Sequence, residues 1–146
     1  MNSKRGLAVI LLVGVGFVVY AGRPTAASQD KPSKGVWEGV YTSEQAGRGK
    51  ELFLKNCVVC HMEDLKGGEA PPLVGEEFLS HWQDMTVDDL FFRIRLTMPQ
   101  DSPGSLKRPV YLDILTYVLQ SNQFPAGKEE LKDSPGLKTI AITATK

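Results

Sequence analysis

The chain has 146 residues, about the length of one domain. Its 17 basic and 17 acidic side chains balance, so nothing marks it as a nucleic-acid binder, and two cysteines cannot staple a disulfide scaffold. At 42% hydrophobic it is not compositionally disordered.

Lys4 and Arg5 precede an uncharged run from Gly6 to Gly22, and Pro24-Thr25-Ala26-Ala27 follows. A basic start, a short apolar run and a small-residue exit predict a signal peptide over residues 1–27, cleaved after Ala27. The competing reading is an uncleaved N-terminal anchor. A span takes about 20 apolar residues, with a lower limit of roughly 17. The run reaches that limit only if its glycines and Tyr20 are counted. Both readings predict an exported, periplasmic protein, in contact with the inner membrane only if the segment is retained. Losing Lys4, Arg5 and Arg23 would leave 14 basic against 17 acidic groups, a charge of −3.

Residues 28–41 read as an extended N-terminal arm. Thr42 or Ser43 then offers an N-cap, with Gln45 three residues beyond Thr42 as in a capping box. The helix that follows runs to about Asn56 and carries Ala46, Gly49 and Phe53 on one stripe. Gly47 and Gly49 each cost nearly 1 kcal/mol against alanine inside a helix, so Gly49 on the apolar stripe predicts a second helix crossing there. Another helix starts at Thr86, with Asp88 and Asp89 in its positive first turn and Val87, Leu90, Phe91 and Ile94 on its apolar face. Met98 lies one turn further along, just before Pro99. A third helix spans roughly Pro109 to Ser121, with so wide an apolar arc that it must touch more than one partner. The packed domain is expected over 42–127, and 128–146 reads as an extended tail with a β-like run at Thr139–Thr143. The fold class is all-α with long loops.

Cys57-Val58-Val59-Cys60-His61 reads as a c-type haem attachment site. Each thiol adds to one haem vinyl group, and the two intervening residues arch the chain over one pyrrole edge. The next residue, His61, is then delivered beneath the iron as its proximal ligand. In the loop Gly67 to Leu73, the Pro71 carbonyl is expected to accept the His61 Nδ1–H and fix the ring. Two other readings compete. A thioredoxin-like dithiol would use Cys57 and Cys60 but expects a βαβ setting. A structural zinc site needs about four Cys or His ligands, and only His81 remains to join Cys57, Cys60 and His61.

The candidates for the sixth iron ligand are Met98, Met85, Met62 and His81. Met62 adjoins His61 and cannot reach across the ring. Met85 reads as a packing methionine, and His81 as a solvated loop histidine. Met98 stands where a helix gives way to a proline-stiffened loop, which suits a thioether held at fixed distance from iron. Trp82 has two readings: an indole donor to a haem propionate, or plain core packing. Arg93, Arg95, Lys107 and Arg108 bracket the Met98 loop, and an ordinary solvated set is favoured over a basic docking rim.

With those residues in hand, the chain resembles class I, mono-haem cytochrome c over about residues 42–126. Gly49 and Phe53 lead into the Cys57–His61 motif, then come Pro71 and Leu73, Met98-Pro99, and a terminal helix with Ile114 and Tyr117. The resemblance implies one covalently bound haem c, with Leu73 beside Pro71 in the haem-binding loop. It also implies that the first and last helices cross where Gly49 and Phe53 meet Ile114 and Tyr117. Pro71-Pro72-Leu73-Val74-Gly75, with Phe78 and Trp82, is similar to cytochrome modules associated with quinoprotein dehydrogenases. The implied function is one-electron shuttling with no substrate bond changed, as a monomer between a donor dehydrogenase and an acceptor oxidase or cytochrome. The alternatives are a permanent haem subunit of such a complex, a small haem enzyme or ligand sensor, and a thiol-disulfide oxidoreductase.

Overall fold

The structure is a computed structural model that describes residues 32–146; the export segment expected at 1–27 lies outside the described residues. Among the described residues five helices carry the fold: α1 (Ser43–Asn56), α2 (Val58–His61), α3 (Gly75–Trp82), α4 (Val87–Thr97) and α5 (Arg108–Ser121). Two short strands, β1 (Lys34–Gly35) and β2 (Ile140–Ala141), pair in parallel with Lys34 opposite Ile140. No helix among the described residues is long and apolar enough to cross a membrane.

The Thr42 hydroxyl caps α1 by accepting the Gln45 N–H at 3.2 Å. The reciprocal half of the expected capping box does not form. The Gln45 side chain turns inward instead, where its amide donates to the Leu131 carbonyl (2.9 Å) and accepts the Leu131 N–H (2.7 Å). At α4 the full box is present: Thr86 Oγ1 accepts the Asp89 N–H at 3.2 Å, and the Asp89 carboxylate accepts the Thr86 N–H at 2.9 Å. α5 opens with Pro109 in its first turn and has no side-chain cap.

The α1–α5 crossing is the most extensive helix contact of the fold. Phe53 of α1 and Ile114, Leu115, Val118 and Leu119 of α5 are buried, and the Phe53 and Tyr117 rings stand 5.4 Å apart. The wide apolar arc of α5 is used on both sides, since α4 packs against it as well.

Within the described residues, the arm from residue 32 to 41 and the tail depart from the extended segments expected of them. In the arm, Val36 and Tyr41 are fully buried, and the Tyr41 hydroxyl donates to the Phe124 carbonyl at 2.5 Å. In the tail, Leu131, Leu137, Ile140 and Ile142 are buried. A turn of 3₁₀ helix over Pro135–Thr139 packs this segment on α4. Ile142 exchanges backbone hydrogen bonds with Asp84 and Met85 at 2.9 and 2.8 Å. The physical reason is that these sparse apolar residues have little surface individually but share one core with α1 and α4. α3 is a further departure. It is not among the three helices read from the sequence and carries no side-chain cap, yet Phe78 is buried and anchors it.

Candidate functional site

The Cys57–His61 segment folds as a continuation of α1. The Cys57 N–H donates to the Phe53 carbonyl at 2.8 Å, and the His61 N–H to the Cys57 carbonyl at 3.1 Å. This turn presents Cys57, Cys60 and His61 to one cavity of about 1310 Å³. That exceeds the ~300–1,000 Å³ typical of small-ligand pockets. Pro71, Leu73, Trp82 and Met98 line the same cavity, so every residue expected at the site is brought to it. Phe53, Leu90, Ile94, Ile114 and Val118 form its apolar walls.

His61 is buried, and its Nδ1 lies 3.0 Å from the Pro71 carbonyl. A carbonyl can only accept, so Nδ1 carries the proton and Nε2 keeps its lone pair. Burial lowers the His61 pKa, against a smaller opposing effect of the Pro71 bond, which keeps the ring neutral and able to ligate. The loop beneath it is tied down repeatedly. The Ala70 N–H donates to the Cys60 carbonyl (3.3 Å), Gly67 N–H to the His61 carbonyl (3.2 Å), and Leu73 N–H to the Leu65 carbonyl (2.8 Å). Asn122, at the end of α5, donates to the Leu73 carbonyl at 2.8 Å and accepts the Gly75 N–H at 3.0 Å. Nothing in the sequence marks that asparagine, which stands in a polar run just past a helix.

Burial, reinforced by Cys60, pushes the Cys57 thiol up to about 11. A dithiol oxidoreductase needs its attacking cysteine shifted the other way, toward the thiolate. Among the described residues no group of three or more His, Cys, Asp or Glu side chains is arranged to hold a metal ion.

Of the remaining candidates for the sixth ligand, His81 also lines the cavity, whereas Met85 and Met62 do not. Met85 and Met62 are exposed, and Met62 lies against Gly68. His81 is exposed in the last turn of α3, not in a loop, with its ring edge-on to Trp82 at 5.0 Å. Trp82 also packs on Phe78, ring centres 6.4 Å apart. The basic set divides as well. Arg93 faces the cavity, whereas Arg108 pairs with Asp133 of the tail and lies over the Phe91 ring at 5.2 Å.

A large apolar cavity, two thiols three residues apart, a buried neutral imidazole and a thioether together fit a haem. Residues 44–118, just over half of the chain, match the family of cytochrome c oxidase, cbb3-type, subunit III. The chain belongs to this cytochrome c family. Its fold is that of class I cytochrome c, its cofactor is covalently bound haem c, and its chemistry is haem-based electron transfer. Among solved structures, the crystal structure of the sulfane dehydrogenase SoxCD from Paracoccus pantotrophus is similar to 73% of this cytochrome, at 18% identity and a TM-score of 0.49. The match spans 60% of that longer chain. No curated protein matches the cytochrome.

Proposed function

We propose that this cytochrome is an exported one-electron carrier, working in the periplasm between a donor dehydrogenase and an acceptor oxidase or cytochrome. Cys57 and Cys60 would hold haem c through thioethers, and His61 and Met98 would ligate its iron. The observation that carries the reading is the convergence of His61, oriented by Pro71, and Met98 on one cavity. Bound haem c supplies a couple between ferrous and ferric iron. His61 offers Nε2 as a fixed neutral donor. Met98 offers a soft sulfur that favours the ferrous state and so raises the potential. The apolar walls exclude water and disfavour the extra charge of the ferric form.

Visible spectra test this reading. Haem that survives acid-acetone extraction is expected, and a double Cys57→Ala, Cys60→Ala variant should release it. A sulfur-to-iron charge-transfer band in the ferric protein is expected to vanish in Met98→Ala. A colourless protein with a reducible dithiol would overturn the assignment.

One observation favours a second reading, a permanent subunit of an oxidoreductase complex. Phe92 and Leu96 of α4, and Met85 just before it, are exposed and line a groove of about 380 Å³ beside the haem cavity, which shares His81, Trp82, Arg93 and Thr97. Purification as a stable complex with a larger redox protein would establish that role; a monomer at micromolar concentration supports the free carrier.

A further inference from the structure

The hydroxyl of Tyr111 sits where the two ends of the Met98 loop meet. It donates to the Met98 carbonyl at 2.7 Å and accepts the Leu106 N–H at 3.3 Å. The Tyr111 residue is buried on α5, which makes the contact part of the core rather than of the surface. The Met98 backbone is held on its other side too, because its N–H donates to the Ile94 carbonyl at 2.9 Å. Its carbonyl accepts a further bond from Gly104 N–H at 3.2 Å. Four hydrogen bonds therefore fix residue 98 and the returning strand of the loop, and two of them run through one phenol oxygen.

We propose that Tyr111 is the positioning residue of the distal ligand: its hydroxyl closes the loop from Met98 to Leu106 and holds the Met98 thioether toward the haem cavity. The proposal rests on Met98 being the axial ligand. Swinging Met98 away from the iron requires moving its backbone, or straining its side chain against a fixed one. With the hydroxyl gone, the Leu106 N–H loses its partner and the Met98 carbonyl keeps only Gly104. Because both groups are partly buried, the loss falls on the closed loop and not on the open one, where water satisfies them. An outside ligand that displaces Met98 should then bind more tightly, by the free energy the closed loop has lost.

The test is a spectrophotometric imidazole titration of ferric, haem-loaded protein, comparing wild type, Tyr111→Phe, Tyr41→Phe and Met98→Ala. Tyr41→Phe is the matched control. It deletes an equally buried phenol hydroxyl whose bond goes to Phe124, remote from the Met98 loop in sequence. Phenylalanine keeps the ring and its packing in both variants. Tyr111→Phe is expected to raise imidazole affinity roughly tenfold, the effect of losing one to two ordinary hydrogen bonds. Tyr41→Phe should leave imidazole affinity at the wild-type value while losing comparable thermal stability. Wild-type affinity in Tyr111→Phe, or an equal rise in both tyrosine variants, would overturn the positioning role. Wild type binding imidazole as tightly as Met98→Ala would instead overturn Met98 as the ligand, and the Tyr111 role with it.

Discussion

Gly49 of α1 packs directly on the backbone of Asp113 in α5: a Cβ built on the glycine would lie 1.8 Å from the Asp113 carbonyl oxygen and 3.1 Å from Tyr117 Cβ. The obstacle is main chain inside a helix, so it cannot rotate away. Gly49→Ala is therefore expected to destabilise the protein by about 1–3 kcal/mol or more through overpacking, despite the gain in helix propensity. Gly47, two residues earlier, has open space around its would-be Cβ, and Gly47→Ala should stabilise by up to about 1 kcal/mol. Chemical denaturation of the two variants checks the opposite signs.

The tail is held to α1 by the buried Gln45 side chain, beside an exposed Arg48–Glu130 ion pair. Gln45→Ala would leave both backbone groups of Leu131 without partners in a buried position. A loss of about 1–3 kcal/mol is expected. Limited proteolysis should cut the variant within residues 128–146 well before wild type, and equal cleavage rates would contradict that role of Gln45.

Acid should loosen the same tail at a second point. The Arg108 guanidinium holds the Asp133 carboxyl below its ordinary value of 3.8. A carboxylate depressed in the folded state contributes its stability above the unfolded pKa, and that contribution is lost as pH falls through the folded pKa. The pair is exposed and screened, so the effect is local. NMR titration should find Asp133 below 3.8, and Arg108→Gln should return it toward that value.

Gly67 controls the proximal side. Its φ is +83°, and a Cβ there would approach the Ala70 carbonyl oxygen to 2.5 Å and the Pro72 nitrogen to 2.9 Å. Gly67→Ala is expected to shift the Pro71 carbonyl and weaken its bond to His61 Nδ1. A less strongly bonded imidazole is a poorer donor, so the reduction potential should rise. Potentiometry against wild type decides the sign.

The attachment motif was legible because its chemistry is local. Cys57, Cys60 and His61 are neighbours in the chain, and the spacing needs only one helical turn to work. The Pro71 contact was legible for a related reason: a short loop after the motif has few places to return to. Tyr111 was not legible, because a tyrosine on an apolar helix face reads as packing until its hydroxyl is found against residue 98. Asn122 and Gln45 were hidden in the same way, each in a pattern with a simpler local reading.

The sequence by itself determined the cofactor, the three main helices, the crossing at Gly49, and the pairing of His61 with Met98 as candidates. These follow from periodicity, caps and ligand chemistry, which act over a few residues. Only the tertiary structure decided that the arm and tail belong to the core, that residues 75–82 are helical, and that a phenol oxygen fastens the distal loop. Those outcomes depend on which distant surfaces meet. A partly apolar segment folds onto the domain only if a matching face is left open, and α1 with α4 leaves one.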